Sequence, residues 1–265
     1  MNQFHIYLKR KHFIISLFAL LIMCSYIAYQ DNRPVFYIVG DSTVKNGDGN
    51  GRDTLWGWGS FMKNYFDSSQ LDVQNHAIGG RSTRTFITDK RWDKITSNLH
   101  KGDYVIIQFG HNDASPLDDT ARARGTLKGI GEDSVEIYNP IRKMKEVVHS
   151  YGWYLRKFIN ETKAAGAIPI ICSPVPRNNF TNGKTNRSTD YAVWAKEVCD
   201  QTQTYFIDLH HLIADRYDSL GENKVNLFFP KDHTHTNLEG AQLNAAIVIE
   251  AIKQNKAGAL KNYLR

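Results

Sequence analysis

Apolar positions after residue 30 gather into five short runs: VFYIVG (35–40), LDVQNHAI (71–78), YVIIQFG (104–110), AIPIICSP (167–174) and TYFIDL (204–209). They are short, contain β-branched and aromatic residues, and end at turn-forming residues, as strands buried on both faces do. Between them the apolar positions spread to helical spacing in residues 54–66, 151–166 and 188–203, and a final helix is predicted over 237–255. Strands alternating with helices predict an α/β fold, a three-layer α/β/α sandwich around a central, mostly parallel five-stranded sheet. Residues 114–150 interrupt the rhythm with a long polar insertion. No internal repeat or low-complexity segment is visible.

The first thirty residues differ in character. Lys9, Arg10 and Lys11 precede FIISLFALLIMCSYIAY (13–29), which has no charge. A basic flank followed by an apolar run predicts an export signal, with residues 1–30 either cleaved or kept as a membrane anchor and residues 31–265 forming the functional domain. The protein is therefore expected to be exported, periplasmic or extracellular, with membrane contact only through that segment. Formal charge is +6 over 265 residues. The leader carries three basic and no acidic side chains, so the remainder is mildly basic at +3. No dense basic stripe with interleaved aromatics is present, and nucleic acid is not an expected partner. Cys172 and Cys199 remain outside the leader. They are expected as small buried hydrophobes, a disulfide being the less favoured alternative.

In parallel sheets the chemistry sits just beyond the C-terminal strand ends. There the chain reads Gly40-Asp41-Ser42-Thr43, Gly79-Gly80-Arg81-Ser82 and Gly110-His111-Asn112-Asp113, and a fourth polar cluster, Asp232-His233-Thr234-His235, precedes the last helix. Each alone reads as an ordinary turn. Together they supply an acyl-transfer site. Ser42 is the candidate nucleophile and His235 its base, while Asp232, three residues earlier, can orient the imidazole. Oxyanion donors are expected from the Ser42 and Gly80 backbone N–H groups and the Asn112 amide. Glycine at 80 leaves close approach unobstructed.

These four blocks, in this order, resemble the SGNH (GDSL-like) hydrolase superfamily, whose four name residues would fall on Ser42, Gly80, Asn112 and His235. The resemblance is closer to rhamnogalacturonan acetylesterases and takes in GTLKGIGEDSVEIYNP (125–140) and YGWYLRKF (151–158). It implies a flavodoxin-like sheet, no cofactor, and a serine esterase that removes O-acetyl groups from acetylated rhamnogalacturonan or a related cell-wall polysaccharide. Thr43 departs from the leucine common in the broader superfamily.

Other readings remain beside it. Acetylated xylan or a general short-acyl ester is the alternative substrate, and a non-catalytic carbohydrate-binding domain is the alternative class. The retained set of Ser42, Asn112, Asp232 and His235 favours the enzyme. A metal clasp at residues 232–235 lacks a third ligand, so no metal is expected. NGKT (182–185) lacks the earlier glycine of a phosphate loop, since Asn178 stands there. No Gly-x-Ser-x-Gly competes with Ser42. Arg81 and His111 are candidate substrate contacts, because arginine grips carboxylates and a polyuronate is anionic. Surface exposure or an ion pair to Asp89 or Asp113 would account equally for Arg81 and Arg84. Arg177, near a strand end, is a similar case. The aromatic residues Trp56, Trp58, Tyr151, Trp153 and Tyr154 are expected in the core.

Overall fold

The computed structural model describes residues 33–254 and 259–265, so residues 1–30, over which an export signal is expected, lie outside the described residues. Strands β1 (Val35–Gly40), β2 (Asp72–Asn75), β3 (Tyr104–Gln108), β6 (Ile168–Cys172) and β7 (Tyr205–Ile207) form one sheet in the order β2-β1-β3-β6-β7. All four pairings are parallel, with Phe36 beside Tyr104 and Tyr104 beside Ile168. The sheet has five strands, as expected, and is wholly parallel where a mostly parallel one was expected.

Alternation along each strand divides the core. Phe36, Ile38, Ile106, Ile170 and Cys172 face one apolar layer, whereas Tyr37, Val39, Val105, Ile107 and Ile171 face the other. A 3-10 helix (Trp58–Tyr65), α5 (Leu209–Leu220) and α7 (Leu238–Gln254) cover the first face. The second is covered by α1 (Thr83–Thr88), α2 (Arg91–Thr96), α3 (Tyr151–Ala164) and α4 (Asp190–Thr202). A short α6 (Glu222–Asn226) follows α5. Strands with no solvated face need both covers, so the result is three layers. Cys172 and Cys199 are both free and buried, in opposite layers. Among the described residues no helix is long and apolar enough to cross a membrane.

Two regions differ from the sequence reading. The helix expected over 54–66 is confined to the 3-10 helix Trp58–Tyr65. The backbone leading into it and its first two residues bond elsewhere: Trp56 N–H donates to Thr236 O at 2.8 Å, Trp58 N–H to Thr43 O at 3.1 Å and Gly59 N–H to Val44 O at 2.9 Å. The same segment therefore clamps the loops carrying Ser42 and His235. The insertion, in turn, holds an antiparallel hairpin of β4 (Ser134–Asn139) and β5 (Met144–His149). It is pinned by Arg84, which is fully buried on α1. Arg84 donates to Glu146 from Nε at 2.8 Å and from Nη2 at 2.9 Å, and its Nη1 donates to the Leu117 and Gly125 carbonyls at 2.8 and 2.9 Å. Neither surface exposure nor pairing with Asp89 or Asp113 describes Arg84.

Candidate active site

Strand β1 ends at Gly40, where a Cβ would lie 2.5 Å from Val44 Cγ2 and 2.7 Å from Gln108 O. Glycine lets the chain fold back over β3 at this point. Asp41, fully buried, then braces the turn: its Oδ1 accepts from Thr43 N–H at 2.9 Å and from Thr43 Oγ1 at 2.8 Å. Thr43 Oγ1 accepts from Gln108 Nε2 at 2.7 Å, and Gln108 Oε1 accepts from Trp58 Nε1 at 2.9 Å. This chain of bonds explains threonine at 43, since leucine has no hydroxyl to link Asp41 to Gln108. Burial outweighs the Thr43 bonds and pushes the Asp41 carboxyl up to about 6.

Ser42 Oγ lies 2.8 Å from His235 Nε2, and His235 Nδ1 lies 2.7 Å from Asp232 Oδ2. The other Asp232 oxygen accepts from the backbone N–H groups of Thr234 at 2.7 Å and His235 at 2.8 Å. Burial raises the Asp232 carboxyl, but the bonds from His235 and the two backbone donors together prevail and hold it down at about 2. Ionised Asp232 fixes the tautomer with hydrogen on Nδ1, leaving Nε2 to accept from Ser42. His233 turns the other way, with Nε2 at 3.1 Å from Arg177 Nη1. Arg177 also donates to Thr234 Oγ1, so it secures the loop that carries His235.

Gly80 adopts φ +76°, a left-handed conformation that favours glycine. Among the described residues, neither its N–H nor that of Ser42 donates to another protein group. Asn112, 7% exposed, donates one amide hydrogen to Arg81 O at 2.8 Å, which ties the loop after β3 to the loop after β2. An amide carries two such hydrogens, so the second is unused by that bond. Next to it, buried Asp113 accepts from Thr83 N–H at 3.1 Å and Thr83 Oγ1 at 2.5 Å, anchoring the start of α1. Burial pushes the Asp113 carboxyl up to about 7.

Ser42, Gly80, Asn112 and His235 line one open cleft of about 700 Å³. Arg81, Arg122, Arg124 and Arg177 also line it, and among the described residues no carboxylate does. Arg81 reaches the cleft while its Nε pairs with Asp89 at 2.8 Å, so the ion-pair reading and the cleft position both hold for it. His111 lines the wall; burial is the main cause that drives its imidazole down to about 3, so it is neutral at physiological pH. Arg122 and Arg124 were not singled out in the sequence. They belong to the insertion, where the Asp119 carboxylate accepts from the N–H groups of Ala121, Arg122 and Ala123 and shapes the loop. Arg122 Nη1 lies 2.7 Å from the place a Gly80 Cβ would take. The only local signal is a pair of arginines two apart in ARAR (121–124). The aromatic residues divide. Trp58, Tyr151 and Tyr154 are buried, Trp56 packs against the core, and Trp153 stacks on His149 at 3.8 Å between ring centroids.

Residues 38–243 match the model of the GDSL-like Lipase/Acylhydrolase family. A rhamnogalacturonan acetylesterase of Emericella nidulans is 31% identical over 218 residues, covering 82% of this chain and 83% of that protein. The probable rhamnogalacturonan acetylesterase YesY of Bacillus subtilis is 30% identical over 225 residues, covering 82% and 92%. Among solved structures, an acetylxylan esterase of Geobacillus stearothermophilus (a catalytic mutant of Axe2) superposes with a TM-score of 0.56 at 18% identity, over 83% of this chain and 94% of that one. A larger Bacillus subtilis protein reaches a TM-score of 0.68 at 26% identity, over 84% of this chain but 57% of its own. The chain belongs to the GDSL-like lipase/acylhydrolase family, in its rhamnogalacturonan acetylesterase-like branch, and is a carboxylic ester hydrolase.

Proposed function

We propose that the protein removes O-acetyl groups from an acidic cell-wall polysaccharide, with acetylated rhamnogalacturonan as the substrate. The observation that carries this reading is a hydrogen-bonded Ser42–His235–Asp232 line opening into a cleft with four arginines and no carboxylate. Ser42 Oγ attacks the acetyl carbonyl as its proton passes to His235 Nε2. The carbonyl oxygen becomes an oxyanion and takes hydrogen bonds from the Ser42 and Gly80 N–H groups and the Asn112 amide. Collapse expels the sugar oxygen, which recovers the proton from His235, and leaves acetyl-Ser42. Water then attacks that ester, losing a proton to His235, and collapse of the second tetrahedral intermediate breaks the Ser42 Oγ–acyl bond, returns that proton from His235 to Ser42 Oγ and releases acetic acid, which ionises to acetate. Asp232 stabilises the imidazolium in both halves.

The arginines support an anionic polymer, because guanidinium groups hold carboxylates in pairs of parallel hydrogen bonds. Xylan, whose esters are the substrate of the Geobacillus protein, has a largely uncharged backbone and would offer these guanidinium groups no carboxylate. Export through residues 1–30, with that segment cleaved or retained as an anchor, would bring the enzyme to such a polymer.

Acetate release from acetylated rhamnogalacturonan, acetylated xylan and 4-nitrophenyl acetate tests the reading. It predicts the highest kcat/KM on rhamnogalacturonan. Equal or better kcat/KM on xylan would overturn the substrate assignment, and inactivity on all three would overturn the esterase.

A further inference from the structure

Two side chains of the insertion converge on Gly80, one of the oxyanion donors assigned above. Arg122 Nη1 lies 2.7 Å, and Arg124 Nη1 3.6 Å, from the place a Gly80 Cβ would take. A side chain at 80 would displace the Arg122 guanidinium, so glycine permits this approach as well as the φ of +76°. Arg124 is tethered: its Nε donates to Ser115 Oγ at 3.0 Å and its Nη1 to Gly80 O at 3.5 Å. Arg122 is not. It is exposed and lines the cleft, and among the described residues its guanidinium has no hydrogen bond or ion pair.

The loop does not need that guanidinium for its own shape. Asp119 builds it by accepting from the backbone N–H groups of Ala121, Arg122 and Ala123 at 2.7 to 2.9 Å, so both oxygens of this nearby carboxylate are engaged by backbone. The two arginines also repel one another: burial first, and then the Arg122 charge, lower the Arg124 pKa. A negative charge that appears beside them relieves the repulsion. In ester cleavage such a charge appears on the carbonyl oxygen as it meets the Gly80 N–H, and only after the uncharged ester group has bound. An interaction made in the transition state and not in the ground state raises kcat and leaves KM nearly alone.

Building on the esterase reading of the cleft, we propose that Arg122 adds a positive charge to the oxyanion hole, so that the insertion serves the chemical step and acts on every ester, neutral ones included. No hydrogen bond to the oxyanion is required, because the field of an unneutralised guanidinium packed against the donor glycine favours charge there. At a few ångströms, inside the ~8 Å Debye length of physiological salt, this interaction is largely unscreened. The role differs from holding a carboxylate of an acidic polymer, which changes affinity for that polymer alone.

The test uses 4-nitrophenyl acetate, a neutral ester with no carboxylate for an arginine to hold. Acylation and deacylation both pass through an oxyanion, so kcat reports the effect whichever step is slower. Arg122→Gln removes the charge and keeps the backbone N–H that Asp119 accepts, and circular dichroism checks that the fold is retained. Its kcat on nitrophenyl acetate is expected to fall by about five- to tenfold with KM within about twofold, the effect of one charge a few ångströms away in a water-like dielectric. Arg122→Lys restores the charge without the planar fork and is expected to recover most of that loss. A kcat within about twofold of wild type in Arg122→Gln, with any loss confined to KM for the acidic polymer, would overturn the proposal and leave Arg122 a substrate contact. A fall in kcat that lysine does not repair would overturn it as well, since shape and not charge would then be the cause. Wild-type inactivity on nitrophenyl acetate would overturn the esterase reading itself, and these failures are thus distinct.

Discussion

Asn112 donates one amide hydrogen to Arg81 O at 2.8 Å, and the proposed mechanism assigns its other amide hydrogen to the developing oxyanion. Asn112→Ala is expected to reduce kcat by about two to three powers of ten, the usual effect of losing one such donor, with a small change in KM. A variant that keeps kcat and loses affinity would make Asn112 a recognition residue instead. At this scale the sequence was informative, because Ser42, Gly80 and Asn112 each stand within five residues of a strand end and so meet at one sheet edge. Arg122 and Arg124 were not legible. No periodicity marks them, and only the Asp119-shaped loop brings them over Gly80.

Individual elements were legible where their residues spend their hydrogen bonds locally. The strands and α3, α4 and α7 follow apolar periodicity closely. The segment entering the 3-10 helix does not, because Trp56 and the helix's first two residues, Trp58 and Gly59, bond to the loops around Ser42 and His235. The hairpin β4–β5 was missed for a related reason: much of its apolar surface, including Val135, Tyr138, Met144 and Val147, is exposed, so no buried face patterns it. Its attachment rests on the Arg84–Glu146 pair. Removing one member leaves an uncompensated buried charge, which costs about 3–5 kcal/mol. Glu146→Ala is accordingly expected to lower the unfolding midpoint by several degrees and to expose residues 114–150 to limited proteolysis before the sheet. Wild-type stability and an unchanged cleavage pattern would show that the hairpin is held by something else.

For the molecule as a whole, two kinds of carboxylate impose opposite dependences on pH. Asp41 and Asp113 have folded values pushed up to about 6 and about 7 by burial. Between an unfolded value near ~3.9 and those values the folded protein binds more protons than the unfolded one. Their contribution is therefore full below pH ~4 and is lost as pH rises through about 6 to 7. Asp232, held down at about 2, contributes above pH ~4 and loses its contribution as pH falls towards 2. Asp113→Asn keeps an oxygen for both Thr83 donors and removes the titration. Its Tm relative to wild type should rise between pH 5 and about pH 7 and level off above that, whatever the offset from the added amide hydrogens. Parallel Tm curves would show that Asp113 does not change its proton in this range. The basic cleft has its own whole-molecule signature. Raising ionic strength from low to physiological values should depress kcat/KM on the acidic polymer while sparing 4-nitrophenyl acetate, because screening acts only on the charged substrate.

Acetate release by Ser42→Ala tests the central claim most directly. Purified wild type and variant are compared on acetylated rhamnogalacturonan, with circular dichroism and the unfolding midpoint confirming that both are folded. The Ser42–His235–Asp232 line predicts a loss of kcat of about four to six powers of ten, with only the weak residual catalysis that an oxyanion hole and binding supply without a nucleophile. Turnover within tenfold of wild type by the folded variant would contradict it.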